Sequence, residues 1–260
     1  MQKSKIEWCD YTINPVKGLC PMECPYCYAR RMYKRFKWNP EIRFDASSLL
    51  LPIRTDWHKH AKFFVGSTIE LFGDWVKPEW MESIFLTCRQ CYEHTFIFLT
   101  KQPQNLIKWS PFPDNCWMGV SVTNTAQFME AHKYLIPPLR AKVKLISFEP
   151  LLYPIAYPVV SKSRPYGYPL EVPLSECCNW VIIGAQTPYS EKTAPKIEWV
   201  REIIEAADRA KIPVFLKNNL KPLLANHWND KSLVWEWING YLSDMKIRQE
   251  FPNGYSISKR

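Results

Sequence analysis

Trp117-Met118-Gly119-Val120-Ser121-Val122-Thr123-Asn124 runs largely apolar as far as Val122 and then turns polar. A short apolar run of this kind, closed by polar residues, suits a strand buried on both faces. Asn124, with Gln127 three residues on, makes a capping pair for a helix carrying Phe128, Ala131 and Leu135. Pro137-Pro138 stops that helix, and Val143 to Phe148 is the next strand, ending at Glu149-Pro150.

The same rhythm extends in both directions. Upstream, His94 to Thr100 is rich in β-branched and aromatic residues and reads as a strand. Before it, Met81, Ile84, Cys88 and Cys91 share one helical stripe, and Lys62 to Ser67 is another buried strand. A first strand is expected near residues 11 to 17. Downstream, Trp180 to Gly184 is a strand, Pro195 opens a helix with Ile197, Val200, Ile204 and Ala207 on one face, and Ile212 to Leu216 is a further strand. Strand alternating with helix argues for parallel strands flanked by helices. The expected fold is α/β, a partial or full parallel (β/α) barrel of about six to seven strands. An open doubly wound sheet is the second choice, since neither phosphate-binding glycine fingerprint is present. Residues 1–220 form the core in this reading, with a Pro- and Tyr-rich insertion over 151–178, and residues 221–260 are an extension packing on it.

The first strand leads into Cys20-Pro21-Met22-Glu23-Cys24-Pro25-Tyr26-Cys27, followed by Tyr28-Ala29-Arg30 at the start of an amphipathic helix. Clustered thiolates are soft ligands that favour zinc, copper(I) or iron–sulfur centres. Thiols this close in the chain suit disulfide geometry poorly, and the total of 9 cysteines is odd. Structural zinc would need a fourth ligand, from Cys9 or a distant histidine. A cubane on three cysteines would instead leave one iron open to a co-substrate. Cys88 and Cys91 fall on an apolar helix stripe and read as structural thiols, as do Cys116, Cys177 and Cys178.

Composition narrows the partners. The chain has 260 residues, 47% of them hydrophobic, enough for a full core. It contains no apolar run of membrane-spanning length and no secretory h-region near Met1, so a cytoplasmic location is expected, where reduced thiols persist. Lys plus Arg number 34 against 25 Asp plus Glu, and the resulting net charge of +9 favours polyanions. In the helix after the cysteines, Ala29, Met32, Tyr33 and Phe36 fall at helical spacing. Arg30, Arg31, Lys34, Arg35 and Lys37 line its other side, either as a solvated face or as a nucleic-acid footprint.

The spacing Cys-x3-Cys-x2-Cys, with Tyr26 before the last cysteine, resembles the signature of the radical S-adenosylmethionine superfamily. Around the motif, Asn14 to Arg30 is similar to the spore photoproduct lyase and DNA repair photolyase group. A longer resemblance is to a phage-associated family of radical S-adenosylmethionine-like proteins. Its landmarks are Ile6-Glu7-Trp8, Phe98 to Pro103, Met118 to Val122, Ser147 to Leu152 and Trp180 to Gly184, in order across residues 6 to 218.

That resemblance implies a [4Fe-4S] cluster on Cys20, Cys24 and Cys27, with S-adenosyl-L-methionine on the open iron, reductively cleaved to a 5′-deoxyadenosyl radical. It implies a one-electron reductant of the flavodoxin or ferredoxin type and places Tyr26 near the adenine. Ser67, Glu70 and Thr123 are offered as cofactor-binding residues. The implied substrate is a nucleic acid or nucleotide, for modification or lesion repair. Glu149 and Lys217 are the candidate catalytic residues, because a strand-end charge in an apolar setting needs a partner or a ligand, and Lys101 is a weaker one. Cys116 and the tyrosines of the insertion are candidates for hydrogen-atom donation. A zinc-stabilised nucleic-acid-binding protein without catalysis stays open, as does a partner protein that holds the cluster without turnover.

Overall fold

The computed structural model describes residues 3–56, 60–156, 174–237 and 241–252. The chain divides into two compact units, one built from residues up to Val120 with Pro138–Val143, the other from Ser121–Pro137 with the chain from Lys144 onward.

The first unit holds the parallel strands β1 (Tyr11–Ile13), β4 (Lys62–Val65), β5 (Thr95–Thr100) and β6 (Cys116–Ser121). β1 pairs with β4, β4 with β5, and β5 with β6, all parallel. Every residue of β4 and of β6 is buried. That explains apolar runs without alternation, since both faces of these strands are covered. The first strand is shorter than expected. It stops at Ile13 because Pro15 has no N–H to continue a ladder. Val16–Lys17 (β2) instead pairs antiparallel with Arg43–Phe44 (β3).

Helix α1 (Tyr28–Phe36) follows β2, a short helix α2 (Leu50–Arg54) follows β3, and α3 (Pro78–Gln90) joins β4 to β5. On α3, Met81, Ile84, Phe85 and Cys88 are buried, as the stripe predicts. Cys91 lies just past the helix end and is only half-buried.

In the second unit α4 (Thr125–Leu135) precedes β7 (Val143–Phe148), a short α5 (Leu174–Cys177) precedes β8 (Trp180–Ile183), and α6 (Ile197–Arg209) precedes β9 (Val214–Leu216). β7 pairs with β8 and β8 with β9, again parallel. The Val122 N–H donates to the Ser147 carbonyl, which carries the ladder on from the end of β6. The order β1-β4-β5-β6-β7-β8-β9 therefore forms one seven-stranded sheet without reversal. A doubly wound sheet reverses its order at a switch point, so this mixed α/β fold is compatible with a partial (β/α) barrel.

After β9 come α7 (Lys221–Leu224) and an antiparallel pair, β10 (Val234–Glu236) with β11 (Lys246–Ile247). The chain just beyond β11 lies along β9. The Leu216 N–H donates to the Arg248 carbonyl and the Glu250 N–H to the Val214 carbonyl. This covers an edge strand that would otherwise present unpaired backbone groups. Most of the Pro- and Tyr-rich insertion, residues 157–173, falls outside the described residues. No helix among the described residues is long and apolar enough to cross a membrane.

Candidate metal and cofactor site

The cysteine loop is held at both ends. At its start, Gly18 adopts a φ of 131°, where a side chain would strike the backbone of Glu41 and Ile42. Its N–H donates to the buried Tyr33 hydroxyl of α1 at 2.8 Å, and the Leu19 N–H donates to the Pro40 carbonyl at 2.9 Å. At its end, Cys27 is the N-cap of α1, its sulfur accepting the Arg30 backbone N–H at 3.5 Å. Cysteine is an unusual cap, since a sulfur is a weaker acceptor than the hydroxyl, amide or carboxylate oxygen that usually fills this position. Between them, Glu23 sits in the left-handed region at φ 49°. Such backbone strain gathers at functional loops.

All three thiols of the loop are free and half-buried. The Glu70 backbone N–H donates to Cys20 Sγ at 3.4 Å. Burial pushes the Cys20 thiol up, against a smaller lowering by that N–H. The Arg30 guanidinium donates to the Cys20 carbonyl at 2.6 Å and stands 3.5 Å from the Glu23 carboxylate. From the end of β5, the Lys101 ammonium lies 6.0 Å from the centre of the Tyr26 ring. The loop thus has two cations beside it, one on the Cys20 carbonyl and one near the Tyr26 ring.

Ser67 and Glu70, expected to bind a cofactor, are beside this loop but already engaged. The Ser67 hydroxyl donates to Asn14 Oδ1 at 3.1 Å, and the Tyr28 hydroxyl donates to the Ser67 carbonyl at 2.8 Å. Glu70 is buried, and its carboxylate accepts the Phe72 N–H at 3.0 Å, the Thr100 hydroxyl at 2.7 Å and the Lys101 N–H at 2.7 Å. A carboxylate bound this way fixes the ends of β4 and β5 relative to each other, while the Glu70 N–H serves the cysteine sulfur. Gln102 donates to Met22 Sδ at 3.0 Å and steadies the middle of the loop.

Several of these supports are not visible in the sequence. Asn14 stands just past the first strand and before Pro15, and its Oδ1 also accepts the Thr68 N–H and hydroxyl, both at 3.2 Å. Arg30 reads as part of a basic face, yet it faces the loop. A polar residue at a strand end followed by proline is the one signal available for Asn14; Tyr33 and Gln102 give none.

In the second unit, the Lys217 ammonium donates to the Glu149 carboxylate, both side chains being mostly buried. They meet over Gly184, where an added Cβ would lie 3.0 Å from Lys217 Cδ and 3.3 Å from Glu149 Cγ and Cδ. The candidates thus converge at the carboxyl ends of β7, β8 and β9. Asn219 braces them by accepting the Ala185 N–H at 3.1 Å and donating to the Ala185 carbonyl at 2.7 Å. Thr123 serves the start of α4 instead, where its N–H and hydroxyl donate to Gln127 Oε1 at 2.8 and 2.9 Å. Cys116 opens β6 at its amino end, a strand length of about 17 Å from the polar residues at the other end.

Among the described residues, no three His, Cys, Asp or Glu side chains gather as a metal-holding group. The donor chemistry of the loop still fits a soft metal, because two of its three sulfurs accept backbone N–H groups, the contact that tunes iron–sulfur thiolates.

A family model described as "Protein of unknown function (DUF5131)" matches residues 3–230. The chain belongs to the DUF5131 family. In this DUF5131 member the matched span takes in the cysteine loop, Glu70, Glu149 and Lys217. No curated protein and no solved structure matches the chain.

Proposed function

We propose that this DUF5131 chain is a radical S-adenosylmethionine enzyme, with Cys20, Cys24 and Cys27 as the ligands of a [4Fe-4S] cluster. One observation carries the reading. A three-thiol loop leaves the β1–β2 segment, ends as the cap of α1 and offers sulfurs that already accept backbone N–H groups. When bound, the cluster and S-adenosyl-L-methionine supply one-electron reduction and a carbon radical, chemistry that belongs to the cofactor.

The chain's own residues supply the setting. Arg30 and Lys101 offset the negative charge of three thiolates and a cluster. Tyr26, beside the last ligand, offers a ring face to an adenine. Gly18, Tyr33 and Glu70 hold the loop so that its sulfurs keep their direction. Glu149 and Lys217 are the proposed groups for positioning the substrate, because a mostly buried ion pair at strand ends is weak evidence of a stability role. The basic balance of +9 supports a nucleic acid or nucleotide as substrate, with a flavodoxin- or ferredoxin-type reductant.

The test is anaerobic reconstitution with iron and sulfide, then metal and sulfide analysis and an assay for 5′-deoxyadenosine after reduction with dithionite. About four irons and four sulfides per chain, lost in Cys24→Ala, together with cleavage of S-adenosylmethionine, are expected. Stoichiometric zinc without a visible chromophore would sink the proposal and leave the three cysteines as a structural clip.

A further inference from the structure

Helix α1 ends in a construction that the cluster reading leaves unused. Phe36 and Trp38 are 52% and 42% exposed, yet their rings are stacked on one another, with centroids 5.6 Å apart and planes 24° from parallel. The Arg35 guanidinium lies 5.3 Å from the Phe36 ring centre. Lys37 takes a left-handed conformation at φ 50°, and the N–H groups of Lys37 and Trp38 both donate to the Tyr33 carbonyl. That turn brings Trp38 back over the helix end, where its ring also meets buried Tyr33 edge-on at 5.2 Å. The result is a preset aromatic ledge rather than two loose side chains.

Charge says what the ledge meets. From Tyr28 to Trp38 the chain carries Arg30, Arg31, Lys34, Arg35 and Lys37 and no acidic residue. Among the described residues, no carboxylate forms an ion pair with Lys34, Arg35 or Lys37. Exposed rings set among cations match unpaired bases joined by phosphates, since each base has a face to stack and each phosphate a charge to neutralise. A duplex offers the phosphates but hides the base faces. A membrane-surface helix would turn a continuous apolar face outward, whereas here Ala29 and Tyr33 of the apolar face are buried and the exposed rings stand at the two ends, Tyr28 at the first and Phe36 with Trp38 at the last.

We infer that Phe36 and Trp38, with Lys34, Arg35 and Lys37, form a binding surface for single-stranded nucleic acid. The helix of nine residues spans about 13 Å, so a strand bound there passes within about 15 Å of the cysteine loop at the other end. Binding at this surface needs neither cluster nor turnover. It can therefore fail while the proposed chemistry holds, or hold while the chemistry fails.

The experiment is fluorescence anisotropy on the intact chain without reconstitution. The probes are a labelled oligothymidylate of about twelve nucleotides, the matching oligouridylate, a duplex of the same length, and phosphatidylcholine–phosphatidylserine vesicles. The single strands should bind in preference to the duplex. Phe36→Ala should weaken binding about five- to a hundredfold, the loss expected for one stacked base. Phe36 is exposed and outside the core, so this variant keeps its fold where Trp38→Ala, which gives up the edge-on packing with Tyr33, is less secure. Lys34→Glu with Arg35→Glu should weaken binding and flatten its salt dependence by about 0.7 in slope for each phosphate no longer neutralised. Binding to vesicles without binding to oligonucleotides, preference for the duplex, or indifference to Phe36→Ala would each overturn the inference.

Discussion

The Tyr33 hydroxyl accepts the Gly18 backbone N–H at 2.8 Å inside the first unit. One side chain thereby ties the start of the cysteine loop to the helix that the loop's last cysteine caps. Tyr33→Phe keeps the ring and leaves that N–H without its acceptor, at a cost of about 1–3 kcal/mol. The expected result is a Tm lower by about 2–4 °C for each kcal/mol lost. Alkylation of Cys20, followed by mass spectrometry of peptides, should also quicken. An unchanged Tm and unchanged alkylation would show that the tether carries no load.

Glu70→Gln tests whether that carboxylate is a structural clamp. The side chain faces three donors, namely the Phe72 and Lys101 N–H groups and the Thr100 hydroxyl. A glutamine must turn its own NH2 toward one of them, so a loss of about 1–3 kcal/mol is expected in urea denaturation. Thr100→Val removes that donor and also strands the Gln102 N–H that the hydroxyl accepts at 2.8 Å, so a loss of similar size is expected. Equal stability of Glu70→Gln and the parent chain would free Glu70 for a direct cofactor role.

The Glu149–Lys217 pair can be separated into stability and function by a mutant cycle. Lys217→Met strands a mostly buried carboxylate and should cost about 3 kcal/mol or more, whereas Glu149→Leu combined with Lys217→Met should recover most of that loss. If the double variant is stable but inactive in a substrate assay, the pair is kept for chemistry. Gly184→Ala should weaken the same site by about 1–3 kcal/mol, because the new methyl meets both side chains.

Stability should fall at alkaline pH in a window set by Cys9. Burial pushes its thiol from the ordinary 9.0 to about 11, and in the fold it donates to Ser4 Oγ at 3.4 Å. Between those pH values the folded chain keeps a proton that the unfolded chain has lost. Its stabilising contribution is therefore whole below pH 9 and drains away up to about pH 11, amounting to about 2–3 kcal/mol. Cys88, raised mainly by burial, and Cys178, raised first by its hydrogen bond with Cys177, act in the same direction. Melts from pH 8 to 11 should show a shallower decline for Cys9→Ala. A slope indifferent to that change would remove Cys9 from the account.

The strands of the sheet were legible because burial on both faces leaves a plain mark, an apolar run ended by polar residues. Trp117 to Val122 and Val143 to Phe148 each lie within a residue of the observed strands. The Asn124–Gln127 pair was legible for a similar reason: capping is local, and Asn124 accepts the Gln127 N–H at 2.9 Å. Periodicity misplaces Phe36, which shares the spacing of Ala29 and Tyr33 but lies exposed on the helix end. Spacing alone cannot tell a core ring from one turned back by the left-handed residue that follows it.

By itself, then, the sequence determined what depends on near neighbours: parallel α/β architecture from alternating periods, three thiols close together in the chain, and a helix opening at the last of them. Only the tertiary structure decided what those residues have left to do. Glu70 and Thr123 carry donors and acceptors that suit a ligand, but contacts with Thr100, Lys101 and Gln127 already engage them. Glu149 and Lys217 are 68 residues apart in sequence and meet only because parallel strands bring their carboxyl ends together around a glycine. Hydrogen-bonding capacity is a property of the residue; its availability is settled by whichever distant group the fold brings within reach.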